Sequence, residues 1–535
     1  MLIGQHYKGG RKMSEVNKPK EPKKQSSEQM SGVLGWIERV GNALPHPAMI
    51  FVILAGIVIV VSALVAKFGA PVTFYDAKAG EEVTQSAVSL LNWDGLLYIF
   101  NNATSNFMDF APLGTVLVAM LGVGVAEWSG LINTALKKLL SNVNPKLLTA
   151  VVIFAGVMSN VASDAGYVVV IPLGAIVFAG AGRHPIAGLA AAFAGVSGGF
   201  SANLIIGTID PLLSGITNEA LLSGGLDYQI VPTANWYFMI VSTFLVVGLG
   251  TFVTEKIVVK NLGEYTGSYV PTDDPVTDQE TKGLRNAGIA LLVFAIIMGL
   301  LMFLPNAPFK TLDADGDLNL NEFMGSGLLL LILLAFMVPG VAYGKTTGKL
   351  TDSRDLVESM TDGMRGMAGY LVLSFFAAQF VDYFSYTNLG TILSVNGAAF
   401  LESIGFKGLP LLLSFIVISA FLNLFMGSAS AKWAIMGPVF VPMMYKLGLS
   451  PELTQAAYRI GDSTTNIITP LMSYFAMIVV FAQRYDEKSG LGTLISTMIP
   501  YTLTFLIGWS ILISIWFALG LPLGPGASTV VSMLL

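Results

Sequence analysis

The sequence contains no cysteine and only three histidines among 535 residues. The absence of cysteine excludes disulfides, thiolate metal sites and a cysteine nucleophile. The three histidines, His6, His46 and His184, lie in a polar N-terminal tail or at the ends of apolar segments. No histidine base is therefore available inside the apolar segments, and no GxSxG nucleophile elbow is expected. We therefore predict that the protein is not an enzyme.

Charged residues are also scarce. They make up 12% of the chain, against about 25% in ordinary soluble domains. Hydrophobic residues make up 54%, and the mean hydropathy is +0.69. This composition predicts an all-α polytopic membrane protein that lies in a lipid bilayer. No nucleic-acid partner is expected. The net charge of −5 is less informative than the positions of Lys and Arg, because short loops rich in these residues face the cytoplasm.

Residues 1–33 differ from the rest of the chain. They are polar and rich in lysine, and they lack the apolar core of a cleavable signal. We predict that this segment is a disordered, basic, cytoplasmic tail. Residues 34–535 then form the membrane domain.

Two stretches, Ser159–Asn203 and Ser428–Asn466, repeat one pattern. Each has a serine-rich break in apolar sequence, two prolines thirteen residues apart, and then a Gly and a Ser that predict a second break. The residues are Pro172, Pro185, Gly195 and Ser197 in the first stretch, and Pro438, Pro451, Gly461 and Ser463 in the second. Backbone groups freed from a helix in hydrocarbon cost several kcal/mol each unless they face protein, water or a ligand. Paired breaks of this kind are typical of the binding site of a secondary transporter.

The apolar segments and the Lys and Arg clusters predict nine transmembrane helices and two re-entrant hairpins. The spans are 48–66, 113–135, 186–216, 235–253, 286–304, 325–342, 366–380, 452–482 and 494–519. One hairpin, between Lys146 and Arg183, enters from the cytoplasm, and the other, 409–445, enters from outside. This antisymmetry indicates inverted-topology repeats, 113–258 and 366–519, with scaffold helices at 286–342.

Several charged and polar residues lie in or beside the breaks. Asp210, Arg459 and Asp462 are costly there, since a charge at mid-helix costs ~2.5–3.5 kcal/mol on insertion scales. Arg459 and Asp462 are three residues apart and share one helical face. One interpretation is a structural ion pair between them. The other is that Asp462 binds a cation with the hard oxygen donors Ser463, Thr464 and Asn466, while Arg459 binds an anionic substrate group.

Further polar residues extend this prediction to both halves. Asn423 and the Ser428–Ser430 turn complete the second site, so that Asn423, Asp462 and Asn466 are the candidate sodium ligands. Ser159, Asn160, Ser163 and Asn203 form the counterpart in the first half. The alternative for each Ser or Asn is a hydrogen bond to neighbouring backbone in a buried turn. Trp433 either stacks on an aromatic substrate or packs inside the protein.

The segments Ser159–Tyr167, Gly427–Trp433 and Arg459–Asn466 resemble those of the p-aminobenzoyl-glutamate transporter (AbgT) family over nearly the whole chain after the tail. The resemblance implies a homodimeric transporter of the bacterial inner membrane with nine spans and two hairpins. It also implies a set of substrate and ion residues: Asp210, Asn423, Ser430, Trp433, Pro451, Arg459, Asp462, Asn466 and Pro470.

The substrates implied by the resemblance are p-aminobenzoyl-glutamate and, for export, sulfonamide antimetabolites. Both ligand types carry an aniline-like ring, so Trp433 for the ring and Arg459 for an acidic group suit either one. The direction of transport stays open at this point, as does the choice between a sodium and a proton gradient.

Other classes fit the sequence less well. A channel needs a continuous polar file, whereas the polar residues here cluster at two breaks. A sodium-coupled dicarboxylate carrier of the same architecture is the main alternative, although a small aliphatic diacid has no use for the indole of Trp433. The acidic loop 313–322 has alternating oxygen donors, but Leu318 and Met324 replace the Gly and Glu of a calcium loop. An exposed acidic turn is expected there.

Overall fold

The computed structural model describes residues 45, 47–76, 81–140, 143–162, 166–265, 276–304, 307–309, 311–312, 318–319, 327–469, 472 and 474–531. The tail 1–33, most of the acidic loop 313–322, and the predicted site residues Ser163 and Pro470 lie outside these residues. The predictions made for them are therefore not examined by the structure.

Helices dominate the first part of the chain. They are α1 (Pro47–Phe68), α2 (Trp93–Met108), α3 (Ala111–Trp128), α4 (Leu131–Leu140), α5 (Leu148–Ser159), α6 (Ile171–Gly180), α7 (Pro185–Phe193), α8 (Ile209–Ser223), α9 (Trp236–Val253) and α10 (Val259–Leu262). A 3₁₀ turn (Asn160–Ala162) and three π-helical segments (Gly166–Val170, Ala194–Gly198 and Thr254–Val258) adjoin them. The antiparallel strands β1 (Val72–Asp76) and β2 (Glu81–Gln85) follow α1, with Phe74 opposite Val83.

The second part continues in the same way. It contains α11 (Asp278–Phe303), the short strands β3 (Thr311–Leu312) and β4 (Leu318–Asn319), α12 (Leu328–Thr347), α13 (Ser353–Arg365), α14 (Ala368–Tyr386), α15 (Leu389–Ser403), α16 (Leu409–Asn423), α17 (Ala429–Lys446), α18 (Pro451–Asn466), α19 (Phe475–Gln483) and α20 (Leu491–Ala518).

Both serine-rich breaks lie between short apolar helices, as predicted. The first follows α5, which has 12 residues, and the second separates α16, which has 15 residues, from α17. At 1.5 Å per residue these helices are roughly 18 and 22 Å long, less than the ~30 Å of hydrocarbon that a span must cross. Their lengths suit re-entrant hairpins better than spans.

The prediction of a second break at Gly461 and Ser463 is wrong. Both residues lie inside α18, which remains helical as far as Asn466. A Cβ atom at Gly461 would lie only 2.5 Å from the backbone oxygen of Ile416, so this glycine allows α18 to pack closely against α16. Gly195 has the same role in the first half, 2.4 Å from the backbone oxygen of Ile153 by the same measure. Close helix contact therefore accounts for the glycine in both halves. In the first half the predicted break is also present, because the α-helix ends at Phe193, a π-helical segment follows, and residues 199–208 are not helical.

Five helical segments in the described part of the chain are long and apolar enough to cross a membrane. They are Ala48–Phe68, Trp236–Leu262, Asp278–Phe303, Leu329–Thr347 and Leu491–Ala518. Two bent pairs raise the number to seven if each pair is one span: α3 with α4, bent by 63°, and α13 with α14, bent by 48°. The predicted span 113–135 is therefore not one straight helix. The total of nine spans and two hairpins stays a prediction.

The two predicted repeats, 113–258 in the first half of the chain and 366–519 in the second half, pack against each other through their helices. In the second half α16 packs along α18, and α17 packs against α8 from the first half. All 16 residues of α18 are buried although the helix is polar. A polar helix with no exposed face must find its hydrogen-bond and charge partners inside the protein, and these partners define the site.

Candidate functional site

The helix α18 presents most of the predicted residues. Ser450 caps its N-terminus by accepting a hydrogen bond from the backbone N–H of Leu453 at 3.1 Å, and Pro451 occupies the first turn, where its missing N–H costs nothing. Arg459 lies eight residues further on, about 12 Å along the helix axis. Pro451 therefore defines where α18 begins, at a distance from the charged residues of the site.

Arg459 forms an ion pair with Asp210 of α8. Its Nη1 atom lies 2.7 Å from Oδ1 of Asp210, and the two side chains are 4% and 1% exposed. Oδ2 of Asp210 accepts the backbone N–H of Gly207 at 2.7 Å. The predicted structural pair between Arg459 and Asp462 is therefore wrong, because each of the two residues has an oppositely charged partner on another segment.

Part of the Arg459 guanidinium has no partner within the described part of the chain. Its Nε and Nη2 groups are buried and make no hydrogen bond there, and Oδ1 of Asp210, although close to Nη1, accepts no aligned hydrogen bond. Nε and Nη2 form one edge of the planar guanidinium, the edge that binds a carboxylate through two parallel hydrogen bonds. Unsatisfied buried donors are costly, so this edge is suited to an anionic ligand.

Asp462 forms the second buried ion pair, with Lys432. Nζ of Lys432 lies 2.5 Å from Oδ1 of Asp462, and the side chains are 1% and 2% exposed. The same ammonium group donates a hydrogen bond to Oδ1 of Asn423. Lys432 lies in the first turns of α17, so this pair connects the hairpin to α18.

The predicted sodium ligands are engaged with each other and with Lys432. The side-chain oxygens of Asn423 and Asp462 accept hydrogen bonds from Lys432, and Oδ1 of Asn466 accepts one from Nδ2 of Asn423 at 2.8 Å. Nδ2 of Asn466 lies 3.4 Å from Oδ2 of Asp462. Oγ of Ser463 accepts the backbone N–H of Ser201 at 3.1 Å. Because the oxygens already face N–H donors and one donor is a cation, this arrangement does not fit a sodium ion.

In the first half, two of the predicted residues satisfy local backbone instead of forming a site. Ser159 donates to the backbone oxygen of Gly156 at 2.6 Å, and Oδ1 of Asn203 accepts the backbone N–H of Leu204 at 2.9 Å. Oδ1 of Asn160, in contrast, is buried without a hydrogen-bond partner among the described residues. A Cβ atom at Gly207 would lie 3.1 Å from the backbone oxygen of Asn160. Asn160 is therefore near the loop that hydrogen-bonds Asp210.

Trp433 is fully buried and packs inside the protein. Its ring is stacked on Tyr458, with centroids 4.4 Å apart and an interplanar angle of 26°, and its Nε1 group donates to Oγ1 of Thr217 at 2.9 Å. Of the two interpretations of Trp433, this structure shows the packing one, because the side chain is fully buried and one face of its ring is covered by Tyr458. Ser430 lies half-buried at the start of α17, with its Oγ 3.4 Å from that of Ser428.

Sequence reasoning missed Lys432, Thr217 and Gln455 as site residues. Thr217 of α8 accepts hydrogen bonds from both Trp433 and Gln455, the latter at 2.9 Å, so it joins the two halves beside the ion pairs. The sequence did indicate a role for Lys432, because a single lysine in an apolar segment needs an acidic partner. Its partner is thirty residues away in sequence, where no local periodicity reveals it.

Residues 195–199 contain a sequence pattern that is also found in hydrolases. They read Gly-Val-Ser-Gly-Gly and fit the letters of a GxSxG nucleophile elbow, so the expectation that no such motif occurs is wrong. Such an elbow is a strand-to-helix turn, whereas Ser197 lies in a π-helical segment, within 3.3 Å of the hydroxyl of Tyr167 and 3.2 Å of Sδ of Met472. These neighbours do not form a catalytic triad.

An apolar cavity of about 230 Å³ lies between α15, α16 and α17. Its lining includes Phe400, Phe415 and Met443, and it contains no charged side chain. An anion in this cavity would lose its hydration without gaining a charged partner. The buried ion pairs of α18 are therefore the better candidate site.

Comparison with known proteins agrees with the family predicted from the motifs. The model of the AbgT putative transporter family matches residues 32–531. The p-aminobenzoyl-glutamate transport protein of Escherichia coli (strain K12) is 37% identical over 502 residues, which cover 94% of this chain and 97% of that protein.

Two solved structures are also similar. The YdaH transporter of Alcanivorax borkumensis is 44% identical, with a TM-score of 0.83 over 90% of this chain and 100% of that one. MtrF of Neisseria gonorrhoeae, described as illuminating a class of antimetabolite efflux pumps, is 46% identical, with a TM-score of 0.84 over 92% of this chain and 99% of that one.

Proposed function

Because the chain belongs to the AbgT putative transporter family, we propose that it is a secondary active transporter of p-aminobenzoyl-glutamate and related aromatic anions, and not an enzyme. The similarity to the Escherichia coli transport protein supports this choice of substrate. The similarity to MtrF supports the export of sulfonamide antimetabolites as a further activity.

The proposal rests on the edge of the Arg459 guanidinium that Nε and Nη2 form, here called the free edge of Arg459. Nε and Nη2 are buried, unpartnered within the described residues, and held in place by the contact of Nη1 with Asp210. A glutamate carboxylate, or the oxygens of a sulfonyl group, would satisfy both donors at once. A lysine could not do this, because its ammonium lacks the planar fork.

Asp210 has a second effect on the bound anion. Its carboxylate pairs with the buried guanidinium through Nη1, so the charge of Arg459 has a partner within the chain itself. It also repels a second carboxylate placed on the same guanidinium. Asp210 would therefore limit how tightly Arg459 holds a carboxylate, which favours release of the substrate.

The position of the site suits alternating access. Asp210 and Thr217 come from α8 in the first half, whereas Trp433, Gln455 and Arg459 come from α17 and α18 in the second half. A movement of one half against the other opens this junction to each side of the membrane in turn.

The proposed assembly is a homodimer in the bacterial inner membrane, with nine spans, two inverted hairpins and a cytoplasmic N-terminus. The scaffold helix α11 supports the placement in a membrane, because successive turns of this helix expose large apolar side chains. These are Ile289, Leu292, Ile296, Leu300 and Phe303, each about half exposed or more. Such faces are stable against lipid or a second subunit.

A dicarboxylate carrier is the second candidate function. The free edge of Arg459 favours it equally, since any carboxylate would satisfy Nε and Nη2. The packed position of Trp433 also removes the argument that a small aliphatic diacid has no use for an indole. The choice of an aromatic substrate therefore rests on the similarity to the Escherichia coli protein.

Ligand binding to the purified protein in detergent tests the proposal. Labelled p-aminobenzoyl-glutamate is expected to bind, a sulfonamide to compete for the same site, and succinate to compete weakly. Arg459→Lys should weaken binding about tenfold to a hundredfold, because a hydrogen bond to a charged group contributes about 1.5–3 kcal/mol. The exposed Arg484→Lys is the matched control and should bind as the wild type does. Tighter binding of succinate than of p-aminobenzoyl-glutamate would favour the dicarboxylate carrier.

A further inference from the structure

The oxygen cluster of Asn423, Asp462 and Asn466 contains a cation that belongs to the chain itself. We propose that the ammonium group of Lys432 is a tethered cation that occupies the place of a sodium ion in this cluster. In the wild-type protein, this cluster therefore binds no sodium while Lys432 is in place. The inference rests on the proposed function for its meaning in transport, but the ion chemistry of the cluster can be tested without any substrate.

The contacts of Lys432 are those of an ion in a coordination site. Nζ lies 2.5 Å from Oδ1 of Asp462, donates to Oδ1 of Asn423, and lies 5.6 Å from the centroid of the Tyr458 ring. The lysine side chain is only 1% exposed. An ammonium group taken out of water needs such partners, and here a carboxylate, an amide oxygen and an aromatic face supply them.

Charge balance supports the same conclusion. In the part of the chain that the structure describes, the fully buried basic side chains are Lys432 and Arg459. Each is paired with one buried carboxylate, that of Asp462 or that of Asp210. The third buried carboxylate, that of Glu452, lies at the start of α18, about 15 Å along the helix axis from Asp462. A sodium ion added to the cluster would therefore leave one positive charge in excess at this buried site, which is strongly unfavourable.

Each side-chain oxygen of the three members of the cluster faces an N–H donor. Nδ2 of Asn423 donates to Oδ1 of Asn466 at 2.8 Å and to the backbone oxygen of Asp462 at 2.7 Å. The side-chain oxygen of Asn423 faces Lys432. A sodium ion could coordinate this set only if the ammonium group left the cluster.

Removal of the ammonium group should turn the cluster into a sodium site. In Lys432→Met the carboxylate of Asp462 loses its cation, while the oxygens of Asn423 and Asp462 become free. Carboxylate and amide oxygens are the donors that hard cations prefer. The variant should therefore gain sodium-dependent stability that the wild type lacks, since a ligand that binds the folded state stabilises it.

The experiment is thermal unfolding of the full-length protein in detergent, in sodium chloride and in choline chloride of equal ionic strength. The wild type should have the same Tm in both salts. Lys432→Met and Lys432→Gln should have a lower Tm in choline chloride and gain at least a few degrees in sodium chloride. Lys432→Met with Asp462→Asn should lose this gain, because the carboxylate is gone. Lys446→Met, a control on the same helix outside the cluster, should behave as the wild type.

Three results would overturn the proposal. One is a sodium-dependent rise in the Tm of the wild type that Asp462→Asn abolishes. Another is a folded Lys432→Met or Lys432→Gln without any sodium effect. The third is failure to recover either variant folded in sodium chloride, which would mean that sodium cannot replace the ammonium group. A wild type that does not bind p-aminobenzoyl-glutamate would refute the proposed function and leave this test unaffected.

Discussion

Replacement of Arg459 by methionine is expected to lower the free energy of unfolding by about 3–5 kcal/mol, because it leaves the carboxylate of Asp210 buried without its counter-charge. Addition of Asp210→Asn in the same chain should recover most of this loss, since no unpaired charge then remains. Unfolding of the single and double variants by denaturant titration in detergent measures both effects.

The exposed Arg484→Met provides the matched control and should change stability little, because its guanidinium is solvated. The informative quantity is the coupling between the two substitutions. Additive losses from Arg459→Met and Asp210→Asn would show that the two side chains do not depend on each other. That result would contradict the ion pair between α8 and α18.

Asp462→Asn should produce a loss of similar size, about 3–5 kcal/mol, because the ammonium group of Lys432 then lies buried beside a neutral amide. Addition of Lys432→Met should restore much of the stability. Transport driven by an ion gradient should be absent in both variants, since neither keeps the ion pair that joins α17 to α18. Denaturant titration and uptake into proteoliposomes measure these two properties separately.

The comparison of stability with transport decides the role of Asp462. If stable Asp462→Asn protein is recovered and its transport depends on the ion gradient as in the wild type, Asp462 is only the structural partner of Lys432. The ion pair between α17 and α18 is then not needed for coupling to the gradient.

The sequence predicted the serine-rich breaks and the most apolar helices, because both leave strong local patterns. Helices such as α1 and α20 are long continuous apolar runs. The breaks at Asn160 and Ser428 place polar residues where an apolar segment needs none. The sequence analysis did not assign α2, α15 or the β1–β2 hairpin, because these elements are shorter or less apolar than a span.

The charge pairs could not be predicted from spacing alone. Arg459 and Asp462 are three residues apart, and a helix brings such residues together. That pairing, however, would leave Asp210 and Lys432 as buried charges without partners, which costs more than the local pair gains. A count of all four charges would have indicated two pairs, but their partners lie on other segments, and only the tertiary structure identifies them.

The central claim is that the guanidinium of Arg459, between the two halves, binds the anionic group of an aromatic substrate during transport. The most direct measurement is the movement of labelled p-aminobenzoyl-glutamate, in both directions, in proteoliposomes under sodium and proton gradients imposed separately. Our account predicts gradient-driven movement by the wild type, and none above empty liposomes for the folded double variant Asp210→Asn with Arg459→Met. Undiminished transport by that variant, or transport of succinate in preference to p-aminobenzoyl-glutamate by the wild type, would contradict it.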